Sequence, residues 1–258
     1  MRLIAILSLL MITQISVAQN KVDARQVIAH RGAWKNTGAP QNSLESLKHA
    51  FELGCGGSEF DINMTRDGVL VINHDADYFG SKIEELTYAE LNKTKLKNGE
   101  DLPLLENFFK MAGKNPKTLL VAEIKPSPSG AERSEKIAAE AYKMAKKYKL
   151  LKHTVFISFS YEAVLKLVSL DKKIKVQYLT GDKSPDVLKA AKVPGLDYHF
   201  SVFEKNPDWL KKAQALGLST NAWTVNKPEL MEDLLKQGIS YITTDEPEKA
   251  LELVRKGL

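Results

Sequence analysis

The fold is decided by the stretch SEFDINMTRDGVLVINHD, residues 58–75. It holds two apolar runs with strand character, residues 58–62 and 69–72, on either side of an Asp67-Gly68 pair. Parallel neighbours need a crossover of a dozen or more residues, so runs this close predict an antiparallel hairpin. The returning arm of the hairpin would carry His74 back towards the end of the first run.

Seven further apolar runs, many of them β-branched, are separated by longer stretches of helical period. They cover residues 27–29, 119–123, 155–158, 176–179, 196–200, 220–225 and 241–243. Alternating strands and helices predict a parallel sheet. Nine strands are one too many for a closed barrel, but the hairpin removes one. The sequence therefore predicts an α/β fold, a (β/α)8 TIM barrel with a β-hairpin extension after strand 2.

Helix starts between the strands are predicted from capping signals. Asn42 precedes Glu45, and Asn226 precedes Glu229, at the spacing of a capping box. Both asparagines are therefore expected to cap helices. Residues 131–150 carry apolar side chains at helical spacing, as a helix on the outside of a barrel would.

Composition limits the classes of protein. The 258 residues are 43% hydrophobic and 27% charged, which fits one globular domain with a sizeable core. Cys55 is the only cysteine, which excludes an internal disulfide and a cysteine metal cluster. The lysines behind the net charge of +5 are scattered, so no nucleic-acid partner is expected.

The N-terminus has the pattern of a signal peptide. Arg2 precedes an apolar run over residues 3–15, and small residues end the segment at Ala18. We expect residues 1–18 to be removed, leaving a single domain over residues 19–258 that is secreted or periplasmic. The run is too short for a stable membrane insertion, although a retained anchor is the alternative.

Three carboxylates are expected at one end of the barrel. Glu59 and Asp61 are two positions apart on a strand, so both point to one face. Glu123 ends the most apolar run, where a charge is expensive unless it faces the barrel mouth. Such carboxylates repel unless a cation lies between them, and oxygen ligands favour Ca²⁺ or Mg²⁺. For Glu59 and Asp61 alone, an exposed pair bonded to Lys or Arg is the alternative.

Two histidines also follow apolar runs, namely His30 and His74. Arg31 follows the first, and Lys125 lies two positions after Glu123 on the same face. A general base, a general acid and cations for the phosphoryl oxygens are what phosphodiester cleavage needs. The residues leave open which histidine is the acid. The other three histidines are predicted to be structural.

These residues belong to motifs that span nearly the whole chain after the N-terminal segment. The set is His30-Arg31-Gly32, Pro40-Gln41-Asn42-Ser43, Glu59-Phe60-Asp61, Thr65-Arg66-Asp67-Gly68, His74-Asp75, Leu102-Pro103-Leu104-Leu105-Glu106, Glu123-Ile124-Lys125, Trp223-Thr224-Val225-Asn226 and Thr244-Asp245-Glu246-Pro247. In order and spacing it resembles the glycerophosphodiester phosphodiesterase family. The resemblance implies metal-dependent hydrolysis of glycerophosphodiesters to glycerol 3-phosphate and an alcohol.

By position, the resemblance also implies a role for each site residue. It makes His30 and His74 the catalytic pair. It makes Glu59, Asp61 and Glu123 the ligands of one divalent cation. Arg31 and Lys125 would be the phosphate contacts, and Trp223 would form an apolar wall against glycerol. Simple packing in the barrel is the alternative for Trp223. One departure from the family pattern is Gln41, where the family usually has Glu, so the site carries one negative charge fewer.

Other functions remain open at this point. A lysophospholipase D would need an apolar entrance to the site. Tyr78, Phe79 and Phe203 are candidates to form it. A non-catalytic barrel that binds phosphorylated ligands would lack a histidine or a carboxylate, and a sugar isomerase barrel would not need the two histidine motifs. The alcohol group, the choice between Ca²⁺ and Mg²⁺ and the oligomeric state are not determined by the sequence.

Overall fold

The computed structural model describes residues 22–257, in which parallel strands alternate with helices. The predicted signal peptide, residues 1–18, lies outside the described residues. The strands are β1 Val27–Ala29, β2 Gly57–Met64, β3 Leu70–Ile72, β4 Asp77–Tyr78, β5 Ser81–Lys82, β6 Leu119–Ile124, β7 Thr154–Ser158, β8 Val176–Tyr178, β9 Gly195–His199, β10 Ser219–Trp223 and β11 Tyr241–Thr244. The helices are α1 Leu44–Leu53, α2 Tyr88–Leu91, α3 Leu105–Ala112, α4 Ala131–Lys147, α5 Tyr161–Leu170, α6 Pro185–Ala190, α7 Phe200–Lys205, α8 Trp209–Ala215, α9 Pro228–Lys236 and α10 Pro247–Arg255.

Strand pairing closes the barrel. Parallel pairs run from β2 through β6, β7, β8, β9, β10 and β11 to β1, and β1 pairs with β2 again. The remaining large-sheet strand, β3, pairs antiparallel with β2, with Ile62 opposite Ile72 and Met64 opposite Leu70. Gly68 has a φ of 82° at the turn, a conformation that glycine adopts without strain. The predicted (β/α)8 barrel and its hairpin extension are both confirmed.

Most predicted element boundaries differ from the structure by one or a few residues, as three examples show. The helix expected over residues 131–150 ends at Lys147, and Lys149 has a φ of 60°, outside the helical region. The run expected over 196–200 ends at His199 because Phe200 begins α7. The run expected over 220–225 ends at Trp223. The short ribbon of β4 and β5 was not predicted.

Apolar side chains form one layer inside the barrel and a larger one between strands and helices. The inner layer consists of Ile28, Val121, Val155, Ile157 and Leu179. Burial of such side chains contributes roughly 25 cal/mol per Å² of apolar surface, which is the main force that holds the helices on the barrel. Between residues 22 and 257, no helix combines the length and the apolar character that a membrane crossing requires.

Of the three residues considered for an apolar entrance, Tyr78 and Phe79 contact each other, with ring centroids 4.8 Å apart, but Phe203 lies elsewhere. Tyr78 packs with Val71 beneath the hairpin, and Phe203 lies in the main core. Phe79 stays 62% exposed. A shared apolar entrance built from Tyr78, Phe79 and Phe203 is therefore not formed.

Candidate active site

Three carboxylates form a cluster near the carboxyl ends of β2 and β6. Glu59 and Asp61 project from one face of β2, and Asp61 is paired in register with Glu123 of β6. All three side chains are buried, and one oxygen of each lies within 4.8 Å of the others. The predicted convergence of the three residues is therefore present in the structure.

Burial and mutual repulsion shift the pKa values of the carboxylates. Burial and then repulsion by its two carboxylate neighbours raise the pKa of Glu59 well above its ordinary value. Burial and the Asp61 charge raise the pKa of Glu123 to about 7. Burial would raise the pKa of Asp61 too, but the charges of Lys125 and His74 lower it. Within residues 22–257, the buried Glu59 Oε1 has no hydrogen-bond partner. These oxygen ligands fit a divalent cation such as Ca²⁺ or Mg²⁺.

Two cationic side chains flank the cluster. Lys125 Nζ lies 2.8 Å from Glu123 Oε1 and 3.2 Å from Asp61 Oδ1. Burial opposes the charge of Lys125, but the two carboxylates outweigh it and raise the pKa of the ammonium group. Arg31 Nε lies 3.8 Å from Asp61 Oδ2, and Arg31 Nη1 donates a hydrogen bond to Gln41 Oε1 at 2.6 Å. The residue that departs from the family pattern thus contacts a predicted phosphate-binding residue.

The side chain of Asn42 forms hydrogen bonds with Asp61 and does not cap α1. The prediction that Asn42 caps a helix is wrong, because the N-cap of α1 is Ser43, whose side chain accepts from Ser46 N. Asn42 Nδ2 donates to Asp61 Oδ2 at 2.8 Å, and Asn42 Oδ1 accepts from Asp61 N at 3.2 Å. Asn42 has a φ of 60°, a region that asparagine tolerates. The tertiary contact has replaced the local cap.

His30 follows β1 and is held by a residue from the other end of the chain. Barrel closure pairs β1 with β11, after which comes Asp245. Asp245 Oδ1 lies 2.7 Å from His30 Nδ1, and Asn226 Nδ2 donates to Asp245 Oδ2 at 2.8 Å. The predicted capping role of Asn226 is also wrong, since α9 begins at Pro228 with Lys227 as its N-cap. His30 Nε2 lies 3.9 Å from Glu59 Oε2.

His74 reaches the cluster through the hairpin, as predicted. Asn73 N donates to Asp61 O at 3.0 Å, which ties the returning arm to β2. His74 Nδ1 lies 2.7 Å from Asp75 Oδ1. Burial, partly offset by the Asp61 charge, lowers the pKa of His74. A neutral imidazole near neutral pH is able to accept a proton.

A cavity of about 200 Å³ collects these groups. All of the predicted site residues except Asp61 line it. A wider depression of about 690 Å³, bordered by Gly56 and Tyr241 at the amino ends of the strands, contains none of them. The smaller cavity is therefore the candidate site, since ligand sites of (β/α)8 barrels lie at the carboxyl ends of the strands.

Part of the cavity wall is apolar and aromatic. It contains Ile157, Phe159, Leu179 and Trp223. The rings of Phe159 and Trp223 meet edge to face, with centroids 5.5 Å apart. The ring of His199, expected to be structural, contacts the Trp223 ring edge to face, with centroids 5.2 Å apart. This wall suits the carbon skeleton of an organic substrate.

Several residues around the site were not assigned by sequence. Asp245 stood in a quoted motif without a role, and Asn42 and Asn226 were assigned to helix caps. Asp197 lines the cavity from β9 and had no sequence signal beyond a carboxyl group in an apolar run. Each touches its partner across a long chain separation, which local patterns do not encode.

The assembled groups suit phosphoryl chemistry. The carboxylates can hold a divalent cation, Arg31 and Lys125 can contact an anion, and two histidines can exchange protons within the same cavity. A fixed donor set of this kind stabilises charge that develops on phosphoryl oxygens.

Comparison with known proteins agrees with this chemistry. The model of the glycerophosphoryl diester phosphodiesterase family matches residues 30–249. A glycerophosphodiester phosphodiesterase of Caldanaerobacter subterraneus is 31% identical, with 90% of this chain and 98% of that protein covered. The crystal structure of such an enzyme from Parabacteroides distasonis is 43% identical, with a TM-score of 0.87 and coverages of 91% and 98%.

A third relative was solved with a ligand. It is an Oleispira antarctica phosphodiesterase in complex with the product sn-glycerol-3-phosphate, 25% identical to this chain with a TM-score of 0.75. The alignment covers 89% of this chain and 96% of that one. From its fold, its site and the family match, the chain belongs to the glycerophosphoryl diester phosphodiesterase family of hydrolases.

Proposed function

We propose that this protein hydrolyses glycerophosphodiesters to glycerol 3-phosphate and an alcohol, with His30 and His74 as the general acid and base. The observation that carries the proposal is the convergence of both histidines, a buried carboxylate cluster and the cationic side chains of Arg31 and Lys125 in one cavity. The product complex of the Oleispira relative supports the choice of substrate.

The proposed cation site consists of Glu59, Asp61 and Glu123. The unpaired Oε1 of Glu59 and the raised pKa values of both glutamates support it, because a cation would offset the repulsion between the carboxylates. A bound Ca²⁺ or Mg²⁺ would supply positive charge for the phosphoryl oxygens.

The remaining chemistry belongs to side chains of the chain itself. Arg31 and Lys125 would bind and orient the phosphate, and Trp223 would pack against the glycerol carbons. One histidine would remove the proton of the attacking oxygen, and the other would protonate the departing alkoxide. Asp245 would fix the ring of His30 by accepting from its Nδ1, so that Nε2 faces the cavity.

The location of the protein is a separate proposal. Residues 1–18 would act as a signal peptide, so that a mature domain of residues 19–258 is secreted or periplasmic. N-terminal sequencing of protein recovered from the culture medium or periplasm tests this. A mature chain that begins at Gln19 is expected, and a retained Met1 would contradict the proposal.

Turnover of glycerophosphocholine by purified protein tests the function. We expect hydrolysis that chelation abolishes and that added Ca²⁺ or Mg²⁺ restores. Asp61→Asn should lower both metal affinity and rate. Glu229→Gln, an exposed carboxylate on α9, is the matched control and should change neither. Full activity after chelation, or unchanged metal affinity in Asp61→Asn, would show that the metal site is misassigned.

A further inference from the structure

One buried carboxyl group in the cavity is not used by the chemistry proposed above. Asp197 points into the barrel from β9 and is 1% exposed. Asn221 Nδ2 donates to Asp197 Oδ2 at 3.1 Å and to Thr243 Oγ1 at 2.9 Å. In the part of the chain that the structure describes, no lysine, arginine or histidine pairs with this carboxyl. A negative charge on this carboxyl would therefore have no ion-pair partner among the described residues.

The second oxygen of this group is unsatisfied. Asp197 Oδ1 is buried without a hydrogen-bond partner among residues 22–257, and the side chain lines the cavity together with Glu59 and Glu123. Burial and the Glu123 charge raise the pKa of Asp197 well above its ordinary value, which favours the neutral acid. A buried polar atom with no partner destabilises a fold. A ligand group is the natural partner for it.

Asp197 is also fixed relative to the aromatic wall. Trp223 Nε1 donates to the main-chain oxygen of Asp197 at 3.1 Å. The indole ring and the carboxyl group thus keep a set position with respect to each other. A carbon skeleton that packs on the ring would have its polar substituents next to Asp197.

The chemistry of the position selects the ligand group. A phosphate would find no positive side chain paired with Asp197, whereas Arg31 and Lys125 offer such charge elsewhere in the cavity. An uncharged hydroxyl can donate a hydrogen bond to the unpartnered Oδ1 of Asp197. An alcohol group therefore fits this position better than a phosphate does.

We propose that Asp197 is a substrate-binding residue that hydrogen-bonds a hydroxyl group on the polyol part of the phosphodiester, beside the Trp223 ring. The inference rests on the proposed function, since it assumes a polyol substrate. It assigns recognition of the polyol to the β9 side of the cavity and recognition of the phosphate to Arg31 and Lys125.

Calorimetric titration with two ligands tests the proposal. With Ca²⁺ or Mg²⁺ present, sn-glycerol 3-phosphate is compared with propyl phosphate, which has the same carbon skeleton without hydroxyl groups. The natural protein should bind the polyol phosphate roughly tenfold more tightly, the usual effect of one good hydrogen bond. In Asp197→Leu this preference should disappear, while affinity for propyl phosphate and for the metal is unchanged.

A matched control comes from Gln177. Its side chain is also 1% exposed inside the barrel with an unpartnered oxygen, but it does not line the cavity. Gln177→Leu should keep the full preference for sn-glycerol 3-phosphate. Asp197→Asn should retain part of it, because the amide can turn its N–H groups to the cavity.

Three results would overturn the inference. The first is an unchanged preference for sn-glycerol 3-phosphate in Asp197→Leu. The second is an equal loss of affinity for both ligands, and the third is a lower metal affinity. Either of the last two would mean that the carboxyl acts through its charge. If Asp197→Leu does not fold, a crystal structure of the natural protein with sn-glycerol 3-phosphate decides. A hydroxyl about 3 Å from Asp197 supports the inference, and hydroxyls bound only elsewhere contradict it. Failure of the proposed function is seen separately, as absent turnover of glycerophosphocholine.

Discussion

The two histidines of the site are brought to it by different regions of the molecule. His30 follows a barrel strand, with its side chain 18% exposed, whereas His74 follows the hairpin and is 41% exposed. Their carboxylate partners differ more. Asp245, beside His30, is 21% exposed and is held by Asn226, whereas Asp75, beside His74, is 70% exposed.

The difference shows how much support a site residue receives from its surroundings. A partly buried carboxylate in a hydrogen-bonded network fixes its histidine strongly, because water competes little for the bond. An exposed carboxylate next to its histidine is solvated and contributes less. We infer that the barrel side of the site is rigid and that the hairpin side depends on its anchor to Asp61.

The largest effect is expected when each histidine is replaced in turn. His30→Ala and His74→Ala should each lower kcat on glycerophosphocholine by roughly 10²-fold or more, because a simple alkoxide leaves only when protonated. Metal affinity, measured by calorimetry, should persist in both variants. With a nitrophenyl ester, which departs without a proton, the variant that lacks the acid should be partly rescued. Equal losses on natural and activated substrates would contradict the division of roles.

The next effect tests the two carboxylate partners directly. Asp245→Asn should lower kcat by roughly tenfold, since a hydrogen bond to a charged group contributes about 1.5–3 kcal/mol. Asp75→Asn, the matched exposed change, should lower it by less than about threefold. Steady-state kinetics at several pH values give both numbers. The proposed contrast between a rigid and a solvated partner fails if the two variants lose the same activity.

The two regions should also respond oppositely to pH in the metal-free protein. Burial raises the pKa of Glu123 from 4.5 to about 7, so between these values the folded state holds more protons than the unfolded state. The stabilisation is therefore complete at low pH and is lost as pH rises through about 7. The lowered pKa of His74 acts in the other direction, because its charging opposes folding as pH falls.

Thermal unfolding of chelated protein measures this response. In the natural protein, Tm should fall on the order of 5 °C between about pH 5.5 and pH 8 because Glu123 becomes charged. In Glu123→Gln this fall should be absent. Added Ca²⁺ or Mg²⁺ should stabilise the natural protein more at the higher pH. If Tm depends on pH to the same degree in Glu123→Gln and in the natural protein, the pKa of Glu123 is not raised in the metal-free state.

The smallest expected effect concerns Gln41, which accepts from Arg31 Nη1. Gln41→Glu would neutralise part of the Arg31 charge and should raise KM by roughly twofold to fivefold with kcat nearly unchanged. Because Gln41 is exposed, added salt should reduce the difference. A large loss of kcat would instead place Gln41 in the chemistry itself.

The sequence by itself determined the barrel, its hairpin and the presence of the carboxylates and histidines near strand ends. These features depend on local rules. Side chains alternate along a strand, crossovers need a minimum length, and an Asp-Gly pair favours a tight turn. Such rules act within a few residues, so they can be recognised before any folding partner is known.

Only the tertiary structure decided how the site is supported. Asn42 and Asn226 carry the local signal of a helix cap, yet both side chains bond to carboxylates of the site instead. Asp245 meets His30 only because barrel closure joins the first and last strands. Local capping contributes about 1 kcal/mol, and a buried hydrogen bond to a charged group contributes more, so the long-range contact prevails.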